Sequence, residues 1–158
     1  MRTSLKVLLV TLLAGVPAFL LTPILFPPNP SVAPPEPRLI PYFLGINIAE
    51  TLFFGVGVAF LVFGLPMLRR VARVAGVSAW PTYLAIGYLT ASWWPHLGMH
   101  AVAGMDFDKL IVVDYVFHLP YILSAVVVAY FFVRVLQATS TATSSRRAVR
   151  AEVGSVAA

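Results

Sequence analysis

Apolar residues fall in four long blocks along this chain: about Leu5–Phe26, Tyr42–Leu68, Ala79–Met99 and Leu110–Leu136. A helix needs about 20 such residues to cross a hydrocarbon core. In lipid, backbone polar groups must be satisfied within the segment, which favours helices. The pattern therefore predicts an all-α integral membrane four-helix bundle in one domain, residues 1–138. Spans are expected at about 5–26, 42–68, 79–99 and 110–136.

The connections carry the opposite signal. Residues 27–41 hold seven prolines, which favour extended backbone and predict a stiff strap. The turn at 101–107 is short, so the last two spans should be antiparallel neighbours. Residues 139–158, rich in Ser, Thr and Ala, predict a flexible tail. The first block follows Arg2 and Lys6, as a signal peptide would, but is long and lacks an A-x-A-like cleavage site. It is read as a retained helix.

Charge orients the bundle. Nine of the eleven basic residues fall on one side: Arg2, Lys6, Arg69, Arg70, Arg73, Arg134, Arg146, Arg147 and Arg150. The positive-inside rule makes that side cytoplasmic, with both termini and the tail. Only Arg38 and Lys109 fall outside. The net charge of +5 is thus a topology signal, and no nucleic-acid partner is implied. With 11% charged residues the partner is the lipid bilayer, and beyond it other membrane subunits or a second copy of the chain. There is no cysteine, which excludes disulfides and thiolate ligands.

All three histidines lie in two runs beside the 101–107 turn: His96-Leu-Gly-Met-His100 and Asp114-Tyr-Val-Phe-His118. Residues four apart share a helix face. From Trp80 to His96 is 16 residues, as is His118 to Arg134, placing both histidines ~24 Å from the inner boundary. The same count sets His100, Asp114 and Glu50 slightly further out. Five ionisable groups on three helices thus fall in one layer near the outer face, and such groups are rare inside membranes.

Imidazole and carboxylate bind zinc, copper and iron. Three histidines with Asp114 would close a four-coordinate site. Three histidines alone would leave a position open, with Asp114 or Glu50 as base for an activated water. Met99 and Met105 lie nearby and would suit Cu(I), though packing explains them as well. Asp106 and Asp108 read as helix caps. Trp93, Trp94 and Tyr115 read as an outer aromatic belt. In residue types, the set is similar to the zinc site of membrane amide hydrolases of the ceramidase type. That resemblance implies a metal-dependent hydrolase, but those proteins cross the membrane more often than this chain does. The expected function is metal binding at the outer face, in a metal-dependent enzyme acting on a lipid or small apolar substrate. The alternatives are an accessory or metal-handling subunit, and a haem-binding electron-transfer subunit. Nothing resembling a nucleotide loop or a Ser-His-Asp order appears.

Overall fold

A computed structural model describes residues 3–156, with side chains through residue 140. Arg2 and the side chains of Arg146, Arg147 and Arg150 lie outside the described residues, while the backbone of the predicted tail continues α6 as far as Val156. The described chain is all-α: α1 (Thr3–Leu25), α2 (Ile40–Ala75), α3 (Trp80–Ala91), α4 (Trp93–Ala103), α5 (Phe107–Val113), a π-helical turn (Asp114–His118) and α6 (Leu119–Val156). A short 3-10 turn, Pro37–Leu39, leads into α2. Among the described residues, three helical stretches are long and apolar enough to cross a membrane: Thr3–Leu25, Pro37–Ala75 and Phe107–Ser140.

Helix α2 is the central element and packs against α1, α3, α4 and α6. It outruns its apolar block because Arg69, Arg70 and Arg73 are good helix formers. It stops at Gly76, whose φ of 64° is the left-handed cap glycine tolerates. Close approach is written into small residues. A Cβ on Gly55 would lie 2.2 Å from the Thr11 carbonyl oxygen, and one on Gly57 would lie 2.6 Å from the Ala91 nitrogen. Backbones that near each other gain dispersion contacts, the main attraction left between helices when the solvent is lipid. At the other end of α2, Leu68, Ala72, Ala79, Tyr83 and Phe131 form a compact apolar cluster. Many large apolar side chains point outward, Ile24, Leu84, Ile122 and Val126 among them, as a lipid-facing surface requires.

The block predicted to span 79–99 is two helices, broken at Ser92. Pro95 explains the break. It has no N–H for the Ala91 carbonyl, so the ladder is interrupted one turn earlier. Pro120 acts alike in the next segment: it leaves the Val116 carbonyl without its usual donor. There the helix widens instead, and the Leu119 N–H bonds to the Asp114 carbonyl five residues back. The Tyr88 hydroxyl, from α3, donates to that same Val116 carbonyl. One helix thus repairs the ladder of its neighbour.

The proline strap is tied down by Asn29. Its backbone N–H donates to the Ala101 carbonyl at 3.1 Å. Its side-chain amide donates to the carbonyls of Val102 and Ala103 at 3.2 and 3.3 Å. These are last-turn carbonyls of α4, which lack intrahelical donors. Asp106 caps α5, accepting from the Lys109 N–H at 3.3 Å, while the Lys109 ammonium sits 3.0 Å from its other oxygen.

Two predictions follow from these bonds. Replacing Tyr88 by Phe should destabilise the fold by about 1–3 kcal/mol, the usual cost of a carbonyl left bare in apolar surroundings. A Pro120→Ala background, which restores an N–H, should shrink that loss in denaturant unfolding in detergent. The second concerns Asp106, whose carboxyl is held below the usual range by hydrogen bonding to Lys109. With the folded value depressed, the stabilisation is present above the unfolded pKa and lost as pH falls through the folded one. Asp106→Asn should flatten the acid limb of a thermal-melt pH series.

Candidate metal centre

One short helix and one π turn assemble the site. His96 and His100 sit one turn apart on α4, just beyond the Pro95 break. His118 closes the π turn, with Asp114 at its start. The extra residue in that turn rotates everything before it by about 100° relative to an unbroken helix.

The three imidazoles converge through their Nε2 atoms. His96 Nε2 lies 2.9 Å from His118 Nε2 and 3.1 Å from His100 Nε2. One ligand atom from each histidine falls within 4.8 Å of the others. Nitrogens around a tetrahedral zinc, each ~2.0–2.1 Å from the metal, would be about 3.3 Å apart. His96 is buried; His100 and His118 are half-buried. Aromatic rings wall the cluster: Tyr121 at 5.2 Å and Phe117 at 5.3 Å from the His96 ring, and Trp93 at 6.1 Å.

Asp114 stands behind His118 and outside the three-histidine group. Its Oδ1 lies 2.5 Å from His118 Nδ1. A carboxylate accepts, so Nδ1 carries the proton and a neutral ring turns its bare Nε2 inward. His96 Nε2 faces the Nε2 atoms of both His118 and His100 at once. A neutral ring nitrogen holds either one hydrogen or one lone pair. It therefore cannot form good hydrogen bonds to both neighbours when the His118 nitrogen is bare. A cation accepting three lone pairs removes that conflict. The carboxylate–imidazole pair behind a ligand nitrogen is a recurring support of metal-binding histidines. His96 Nδ1 is buried without a partner, a cost this site carries.

The residues singled out in the sequence separate into two places. His96, His100 and His118 come together, and Asp114 joins them through His118. Glu50 lines a different pocket, with Asn47, Trp94 and Gly98. Trp94 is no belt residue. It is buried, packs against Phe26 and Phe54, and donates from Nε1 to Thr22 Oγ1 at 3.0 Å. Tyr121 was missed; it lies three residues after His118, on an adjoining face, and that spacing was the available signal. Ser92 Oγ is 3.2 Å from its hydroxyl and donates to the Tyr88 carbonyl, linking the break to the site.

Comparison of the chain with known family models, with curated proteins and with solved structures finds no match.

If Asp114 sets the His118 tautomer, Asp114→Asn should weaken metal affinity by roughly 10–100-fold while His118 stays in place. Competition against a chromophoric chelator reads this directly.

Proposed function

We propose that this chain is an integral membrane protein that holds one transition-metal ion on His96, His100 and His118. The observation that carries the reading is the convergence of three Nε2 atoms, with one tautomer set from behind by Asp114. An all-nitrogen set suits zinc, copper or iron. Three protein ligands leave a further position for an outside ligand, the pattern of reactive zinc sites as opposed to closed structural ones. In this reading α3 and α4 together make a fourth, broken crossing. The basic residues keep the termini in the cytoplasm, and the metal lies toward the outer face.

An open position supports a metal-dependent enzyme acting on a lipid or small apolar substrate that reaches the half-buried side of the site. Such an enzyme also needs a base. Asp114 is engaged by His118, and Glu50 lines the neighbouring pocket. That separation favours a second reading: a metal-handling or accessory subunit whose open position receives a ligand from a partner.

The purified full chain should carry about one metal ion per chain by elemental analysis, the stoichiometry of a single three-histidine site. His96→Ala and His118→Ala should lose it while retaining helical circular dichroism. Metal-free wild type with intact folding would overturn the assignment. Cobalt-substituted protein then tests the open position on which both readings rest. A visible spectrum that changes with azide marks an open position; an unchanged one marks a filled site.

A further inference from the structure

The flank of α4 turned away from the histidines borders a second cavity of 450 Å³. Its walls are mostly apolar, with Phe26, Phe43, Trp94 and Ala101 among them. Two acceptors enter it from α2: Asn47 and Glu50, three residues apart and so on one face. Both are half-buried. Asn47 Oδ1 is buried with no hydrogen-bond partner. Glu50 forms no ion pair or hydrogen bond among the described residues, where the ion pairs are Arg38–Glu36, Lys109–Asp106 and His118–Asp114. Thr22 is already occupied, donating to the Ala18 carbonyl and accepting from Trp94.

An amide oxygen and a carboxylate with no donor facing them are costly in apolar surroundings. What they lack defines the missing group: several N–H donors and a positive charge. Aromatic walls add a quadrupole that favours a cation. Calcium takes six to eight oxygen ligands and magnesium binds with several retained waters, and walls this apolar supply neither. We infer that this cavity binds a protonated primary amine carried on an apolar tail, with the ammonium between Asn47 and Glu50. The tail follows the aromatic wall. Aminophospholipid headgroups and free long-chain amines share this chemistry. The inference uses no atom of the histidine cluster and stands apart from the metal reading.

The test uses the full chain purified in a neutral detergent. Titration with n-decylamine, followed by intrinsic tryptophan fluorescence, should saturate; n-decanol should give no saturable change. Glu50→Gln should weaken decylamine binding by roughly tenfold or more, as expected for a lost charge-assisted hydrogen bond. Ala101→Leu, which fills the cavity and leaves the carboxylate in place, should do the same. Both variants should retain the metal content of wild type, so failure here is distinct from failure of the metal assignment. In nanodiscs, competition by phosphatidylethanolamine but not phosphatidylglycerol identifies the lipid as the source of the amine. Decylamine binding undiminished by phosphatidylethanolamine identifies a free amine. Equal binding of decanol and decylamine, or wild-type binding by both variants, would overturn the inference.

Discussion

In lipid no water stands ready to bond a stray carbonyl, so every break in a helix must be answered by protein. This constraint organises the end of the molecule that carries the histidines. Pro95 and Pro120 each remove a donor, and the consequences shape the site. The first interrupts the helix at Ser92, one turn before His96. The second coincides with the π turn that carries Asp114 and His118. The chain accepts two irregular segments beside the residues of its histidine cluster. Irregular backbone at functional depth is characteristic of membrane proteins that bind ions.

Much of this was legible in the sequence, and the reasons for the rest are physical. Hydropathy read the helical content because apolar runs of this length have one stable form in lipid. Spacing read the histidine faces because four residues make about one turn. Asp106 was recognisable as a cap from its place in the turn. The break at Ser92 was harder: proline in a membrane helix is often absorbed as a mild bend, and composition does not say which outcome prevails. Counting residues from the inner boundary placed Glu50 at the depth of the histidines. Depth says nothing about which flank of a neighbouring helix a side chain meets, and Glu50 meets the flank lined by Trp94 and Gly98. Trp94 was misread for a related reason. A tryptophan near the outer boundary looks like a belt residue until a buried acceptor, here Thr22 Oγ1, takes its N–H.

Helix α4 serves two unlike environments at once. One flank presents imidazoles among Tyr121, Phe117 and Trp93; the other borders an apolar cavity with two acceptors. The strap fastens the far end of this short helix through Asn29, so α4 is held at its end as well as along its length. A short helix is a marginal structure by itself, and such tethers are what let it carry functional groups.

The bond from Tyr88 to the Val116 carbonyl has a mechanical consequence. Because one helix supplies the rung that another lacks, neither can slide or unwind there without stranding a polar atom in oil. Any hinging of this end must carry both as a single block, so the imidazole of His118 travels with the tyrosine of a different helix.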